Sequence, residues 1–209
     1  MTAVLMHAPK ACSLAARFAA AEGDVALDTA WLNLRTKELE RGGSLYDFNP
    51  LGQVSTLKLD DGTILTETSV ALLWIQTQSE NADFRIDPSD PRYFQLVRWL
   101  GFCATELHKQ IFRVVFYGEA TDEVKDRIRE LAPQRFGLLN RHLASTPYLL
   151  GDRFSAADAY LAWFFVLSDK AGLTHGSYPA LTFYRDRVLS RPKIRELIAI
   201  DEKRYAELS

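Results

Sequence analysis

The chain opens on a short apolar run, Ala3-Val4-Leu5-Met6, closed by His7-Ala8-Pro9, and this pattern predicts a buried strand. Leu14, Ala15, Phe18 and Ala19 then recur at three- and four-residue spacing, predicting a helix that stops near Gly23. A second apolar run, Ala26 to Leu32, follows. Strand, helix and strand in that order predict a parallel pair joined by a right-handed crossover. After a polar, glycine-containing loop from Arg35 to Asn49, Thr56-Leu57-Lys58-Leu59 and Ile64-Leu65 flank Asp60-Asp61-Gly62-Thr63. Asp-Gly between two apolar runs predicts an antiparallel hairpin. Val70, Leu73, Trp74 and Thr77 return to helical spacing.

Across Ala3 to about Gln78 the order is therefore β-α-β, a loop, β-β and α, which is a thioredoxin-like order. Between Glu80 and Pro91 the chain turns polar and carries Pro88 and Pro91, the composition of a linker. Beyond it the patterns are long and helical. Phe94, Val97, Leu100, Gly101, Ala104, His108, Ile111 and Val115 form one stripe. Val124, Ile128, Leu131, Leu139 and Leu143 belong to a second element, which Pro133 is expected to kink. Ser155-Ala156-Ala157-Asp158 is related to a capping box and leads into the apolar run Ala159 to Leu167, predicting a buried central helix. Pro179 and Pro192 fit the first turns of two further helices, with Ser177 and Ser190 as nearby cap candidates. The expected organisation is α+β with two domains: residues 1–80, a linker at 81–91, and an all-helical bundle over 92–209.

Charge narrows the partners. Lys plus Arg total 25 against 27 for Asp plus Glu, a formal charge of −2, and no basic run exceeds two residues. A surface that tracks nucleic-acid phosphates is not expected. The most apolar stretches, around Leu65–Ile75 and Tyr160–Leu167, are too short and interrupted for a bilayer span, and the N-terminus lacks a cationic leader with a following apolar stretch. The two cysteines, Cys12 and Cys103, lie far apart in sequence, form no metal knuckle or disulfide framework, and fit a reducing compartment, so the cytoplasm is the expected location.

Four places could carry chemistry. The loop His7 to Ala11 delivers Cys12 to the start of the first helix, where unpaired N–H groups and the positive dipole end favour a thiolate. Ser13 follows in the same turn. Cys12 could equally be a small residue tucked under the loop, and no Cys-x-x-Cys partner exists for a dithiol cycle. His108, flanked by Leu107 and Lys109 with Glu106 nearby, is either a polar group at the edge of the helical domain or a structural histidine. Glu67-Thr68-Ser69 opens a helix directly after the fourth strand. Its N–H groups and hydroxyls could hold a carboxylate and Glu67 an ammonium, or the triplet could simply cap the helix. Gln53-Val54 offers exposed backbone to an extended peptide.

Taken together, these residues resemble the glutathione S-transferase family, most closely its bacterial beta class. Ala11-Cys12-Ser13-Leu14-Ala15 is similar to that class's cysteine segment, Asn49-Pro50-Leu51-Gly52-Gln53-Val54 to its loop before strand three, and Leu65-Thr66-Glu67 to its glutathione-binding turn. Ala104 to Lys109 is similar to its helix-four segment, and Gly151 to Tyr160 to its buried capping motif. The resemblance implies a thioredoxin-like β-α-β-α-β-β-α domain, an all-helical domain, a homodimer, and glutathione as co-substrate in the cleft between domains, with no metal. By position it implies Cys12 beside the glutathione sulfur with Ser13 as a nearby donor, and Val54 pairing its backbone with the cysteinyl unit. Glu67 and Thr68 would hold the γ-glutamyl end, Lys37 the glycyl carboxylate, and Gln53 the peptide nearby. His108 and Lys109 would border the sulfur and a second-substrate pocket that Phe112 also lines.

Three departures stand out. Ser55 occupies the position of the family's cis-proline, and because a cis bond before a non-proline residue costs about 3 kcal/mol, the sequence predicts a trans Val54–Ser55 bond. Thr68 replaces the usual serine or glycine, and Gly101 replaces an asparagine that reaches glutathione in the partner subunit. The implied activity is a detoxifying transferase that directs the glutathione thiolate at a small electrophile, with Cys12-dependent thiol–disulfide exchange as a variant. The alternative is a binding or regulatory protein that keeps the fold without catalysis.

Overall fold

A computed structural model describes residues 3–116 and 119–208. Four strands, β1 (Ala3–His7), β2 (Leu27–Trp31), β3 (Thr56–Lys58) and β4 (Ile64–Thr66), form one sheet in the order β2-β1-β3-β4. β1 and β2 run parallel in the register Ala3↔Leu27 to His7↔Trp31, while β1–β3 and β3–β4 are antiparallel. The hairpin turn closes as its sequence predicts, with Gly62 at positive φ and the Thr63 N–H donating to Asp61 Oδ1 at 2.8 Å. The crossover helix α1 (Ser13–Glu22) ends at Gly23. The helix that the resemblance implies between β2 and β3 is reduced to one tight turn, Leu45–Asp47. The preceding residues are spent instead on two isolated bridges, Leu32↔Leu39 and Glu38↔Ser44, around the positive-φ glycines 42 and 43.

Helix α2 (Thr68–Gln78) corrects the expected stripe. Its buried residues are Thr68, Ala71, Leu72, Ile75 and Gln76, whereas Val70 is exposed and Leu73, Trp74 and Thr77 are only half-covered. The helix is apolar on nearly every side, so spacing alone could not select the inward face. Gln76 is fully buried because it bridges: its amide donates to the Phe84 carbonyl, and its oxygen accepts the Ala156 N–H at 2.6 Å. The segment between α2 and the next helix is itself anchored, since Phe84 and Ile86 join the core.

The remaining helices are α3 (Tyr93–Phe102), α4 (Arg113–Phe116), α5 (Asp122–Arg129), α6 (Ala132–Leu143), α7 (Ala156–Ser168), α8 (Pro179–Leu189) and α9 (Pro192–Leu208). Between α3 and α4 the chain winds with i→i+5 bonds over Cys103–Phe112. The expected stripe is corrected already within the regular helix α3, and the wider winding then sets which residues turn inward beyond Phe102. Leu96, Trp99, Leu100, Cys103, Leu107, Ile111 and Phe112 face inward, and Phe94 and Val97 are exposed. Pro133 starts α6 rather than kinking a longer helix, because its ring has no N–H to lose in a first turn. Ser177 and Ser190 cap nothing at the starts of α8 and α9: Tyr178 precedes α8, and Asn140 Oδ1 accepts the Ala180 and Leu181 N–H groups from across the bundle.

Helix α7 is the centre of the molecule, buried at every position from Ala156 to Phe165. It packs on α1, and the alanines on both helices let the two backbones approach closely. The sheet, α1 and α7 thus form successive layers, and the cleft opens where the C-terminal ends of β1 and β2 meet the Cys103–Phe112 segment and α9.

Candidate functional site

The loop after β1 is held from two sides. Lys10 adopts φ 61, its N–H donates to Asp201 Oδ2 of α9 at 2.5 Å, and its carbonyl accepts Trp163 Nε1 of α7 at 3.1 Å. This fixes Cys12 at the start of α1, with its thiol donating to the Val54 carbonyl at 3.1 Å. The expectation of a favoured thiolate is overturned here. Burial pushes the Cys12 thiol up, and the opposing help of the Thr68 hydroxyl, the Lys109 charge, its own amide and Ser55 does not offset it. The helix terminus acts on this sulfur, but desolvation is the larger effect.

Ser13 lines neither cavity of the site. Its hydroxyl is fully buried and lies 2.8 Å from His7 Nδ1, while His7 Nε2 lies 2.7 Å from Asp201 Oδ1. A carboxylate can only accept, so Nε2 carries the proton and Nδ1 accepts from Ser13, which leaves the hydroxyl no proton for a ligand. Burial lowers the His7 pKa, consistent with a neutral ring. The connectivity is that of a Ser-His-Asp triad, yet all three groups are sealed from solvent, so it clamps α9 to the sheet instead of meeting substrate.

The opposite wall is the turn before β3. Asn49 Nδ2 donates to the Gln53 carbonyl at 2.8 Å, and the Gly52 N–H donates to the Asn49 carbonyl at 2.8 Å. Gly52 has φ 59, and a Cβ there would come within 2.6 Å of the Tyr46 ring, so any other residue would carry backbone strain and push that ring aside. The Val54–Ser55 bond is cis, against the trans bond predicted from its local cost. Tertiary surroundings decide this position: Ser55 is buried, its hydroxyl lies 3.3 Å from Thr68 Oγ1, and the Gln53 carbonyl is taken by Asn49 and Thr56. Glu67, at φ 71, stands exposed at the start of α2 without capping it.

His108 and Lys109 come from the i→i+5 segment. His108 Nδ1 lies 2.8 Å from the Tyr160 hydroxyl, and its ring meets Trp163 edge-on at 4.7 Å. Burial, with the charges of Lys109 and Arg113, lowers the His108 pKa to about 3, so it is a neutral ring at physiological pH. Burial keeps the Tyr160 phenol well above the ordinary range, and the neighbouring Thr68 hydroxyl opposes that rise. Thr68 is thus the polar neighbour that opposes the raised pKa of both the Cys12 thiol and the Tyr160 phenol. Because the folded-state pKa of His108 is below its unfolded value near 6.5, the native state binds fewer protons, and stability falls as pH drops below that value. From pH 7 to 5 this residue accounts for roughly 2 kcal/mol. Urea denaturation of a His108→Gln variant should show a shallower acid slope by that amount, and an unchanged slope would contradict it.

Apart from Ser13, the expected residues fall into two adjoining cavities. Gln53, Val54, His108 and Lys109 line both; Glu67 and Thr68 line the small one, together with Ser55, Ser69 and Tyr160. Cys12, Lys37 and Phe112 line a larger cleft of about 1150 Å³. Sequence reasoning missed Tyr160, Trp163, Lys10 and Asp201. Tyr160 carries the one signal it could have used, a phenol tip within an otherwise apolar central helix. Among the described residues no group of His, Cys, Asp and Glu could hold a metal ion.

Residues 105–200 match the family model described as the glutathione S-transferase C-terminal domain. The chain is 28% identical over 202 residues to glutathione S-transferase GstA of Escherichia coli O157:H7, covering 94% of this chain and 98% of that protein. Among solved structures it is similar to a beta-class glutathione S-transferase of Sphingomonas chungbukensis, with a TM-score of 0.87, 30% identity, and coverage of 95% of this chain and 98% of the other. A sphingomonad glutathione S-transferase complexed with glutathione superposes with a TM-score of 0.89 at 29% identity, covering 95% and 98% of the two chains.

Proposed function

Because the chain belongs to the glutathione S-transferase family and resembles its bacterial beta class, we propose that it binds glutathione in this cleft and directs the thiolate at a small electrophile. The observation that carries the reading is the Gln53–Val54 backbone beside a pocket that ends on the Thr68 hydroxyl, with the Cys12 thiol against Val54. An extended tripeptide can add along that backbone by strand-like pairing, with its sulfur toward Cys12. Lys37 is suited to the glycyl carboxylate and Gln53 to the adjacent peptide, while Glu67 and Thr68 suit the γ-glutamyl ammonium and carboxylate.

Catalysis in this reading is electrostatic. Hydroxyl donors and the Lys109 charge favour the ligand's thiolate over its thiol, and each unit by which its pKa is lowered corresponds to about 1.4 kcal/mol. His108 is neutral and bonded to Tyr160, so it orients and donates rather than adding charge. Ser13, turned toward His7, has no direct part. We take residues 1–80 as the glutathione-binding domain, 81–91 as the linker and 92–209 as the helical domain that carries the second-substrate pocket. The exposed apolar side chains Val70 on α2 and Phe94 and Val97 on α3 support pairing with a second copy as a homodimer. Among the described residues no helix is long and apolar enough to cross a membrane, and both cysteines are free, which supports a cytoplasmic setting.

Full-length similarity to transferases does not favour the non-catalytic alternative. Calorimetric titration with glutathione tests the reading, run beside Glu67→Ala. Removing one charge-assisted contact should weaken binding about tenfold or more. A folded wild-type protein that shows no heat with millimolar glutathione would overturn the proposal.

A further inference from the structure

The larger cleft is lined by six cations, Lys10, Arg35, Lys37, Lys109, Arg113 and Lys170, and by no carboxylate among the described residues. The chain as a whole carries a formal charge of −2, so this is a local arrangement and not a reflection of composition. Among the described residues the lysine ion pairs are Lys125–Asp122 and Lys193–Asp24, so Lys10 and Lys170 have no carboxylate partner there. Glutathione as placed above draws on Lys37, with Arg35 nearby, and on the Lys109 charge. Lys10 and Lys170 have no part in holding it.

These two share a support. Lys10 Nζ lies 4.4 Å and Lys170 Nζ 5.8 Å from the centroid of the Tyr205 ring of α9. The Lys10 backbone is clamped by Asp201 and Trp163, so its ammonium is presented to the cleft from a fixed base. The surface beside them is aromatic. Phe112 packs edge-on against both Trp163, at 5.5 Å, and Phe116, at 5.1 Å, and all three line the same cleft.

Resting on the glutathione-binding reading, we infer that the second substrate is an anionic aromatic electrophile, a flat ring bearing a carboxylate or sulfonate. The ring lies against the exposed Phe116, which Phe112 and Trp163 back from within, and its anionic group faces the Lys10–Lys170 pair. Cations of one sign in a walled cleft concentrate anions there and discriminate against neutral isosteres. With a chloronitrobenzoate, the glutathione sulfur forms a bond to the ring carbon that bears chlorine. Chloride departs with the bonding electron pair, and the thiol proton passes to solvent.

The test compares two glutathione conjugates by calorimetry, S-(4-carboxy-2-nitrophenyl)glutathione and its 4-carboxamide, with glutathione alone titrated in parallel. The carboxylate conjugate should bind about tenfold more tightly at low salt, an advantage that shrinks as ionic strength rises. The single variant Lys170→Gln should reduce that advantage and the double variant Lys10→Gln/Lys170→Gln should remove it. If glutathione binds but the carboxylate has no advantage, or the advantage survives in the double variant, this inference falls by itself. If neither glutathione nor either conjugate binds the folded protein, the glutathione reading falls and takes this inference with it.

Discussion

Replacing Asp158 by alanine is expected to destabilise the protein by about 3–5 kcal/mol, the largest effect of any single substitution proposed for its stability. The carboxylate is fully buried and accepts four hydrogen bonds. Oδ1 takes the Leu149 N–H at 2.9 Å and the Tyr184 hydroxyl at 2.7 Å; Oδ2 takes the Ser155 N–H at 2.9 Å and its hydroxyl at 2.7 Å. It therefore closes the start of α7 onto the 149–151 turn and α8 at once. Alanine would leave two buried amides and a buried phenol without acceptors, each costing about 1–3 kcal/mol. Burial raises the Asp158 pKa, and the hydrogen bonds to Ser155, Leu149 and Tyr184 oppose that rise, so ionisation at this site depends on them. Thermal denaturation should show a fall of about 10 °C or more for a chain of this size. Asp158→Asn, which keeps one acceptor oxygen but turns an amide toward the Ser155 N–H, should lie between the two. A loss below about 1 kcal/mol for alanine would contradict the account.

Cys12→Ala should separate two chemistries. Thiol–disulfide exchange should fall by about two orders of magnitude or more, because the variant has no nucleophile in the cleft. Cys103 cannot substitute, since it is buried away from both cavities and its thiol is held far above the ordinary range by desolvation, with the Asp158 charge adding to it. Conjugation, in which the nucleophile is the ligand's own sulfur, should survive. The wild-type pH dependence follows from the raised Cys12 pKa. Because burial holds the thiol above its ordinary range, only a small fraction is thiolate at neutral pH, and formation of the mixed disulfide should keep climbing as the solution is made alkaline. With oxidised glutathione, the Cys12 thiolate forms the new S–S bond and one glutathione thiolate leaves, which intact-mass measurement reads directly. A rate that levels off below pH 8 would show that the thiol is activated after all.

Much of the fold was legible because its signals are local. The Asp61-Gly62 turn, the Gly23 stop, the Ser155–Asp158 cap and the prolines opening α8 and α9 each act through the backbone of their own few residues. The faces of helices were less legible. In α2 apolar residues surround the axis, and only the sheet and α7 select Ala71, Leu72 and Ile75 over Val70 and Trp74. In α3, a regular helix, the packed face is Leu96, Trp99 and Leu100, and Phe94 on the neighbouring apolar face ends outside.

The candidate site divides in the same way. The resemblance carried by motifs in their order along the chain implied that Cys12, Val54, Glu67, Thr68 and His108 border one cleft, and the structure brings them to two adjoining cavities. Which polar atom meets which was not in the spacing. Ser13 turns to His7 because Asp201, 194 residues beyond His7, orients that ring. His108 is neutral because Tyr160 and Trp163 enclose it, and Cys12 holds its proton because burial outweighs the helix terminus. The Val54–Ser55 bond is cis among buried hydroxyls, whatever its local preference. Backbone propensity is a property of a few adjacent residues and can be read from them; desolvation and hydrogen-bond pairing belong to the surroundings, which exist only once distant segments have packed.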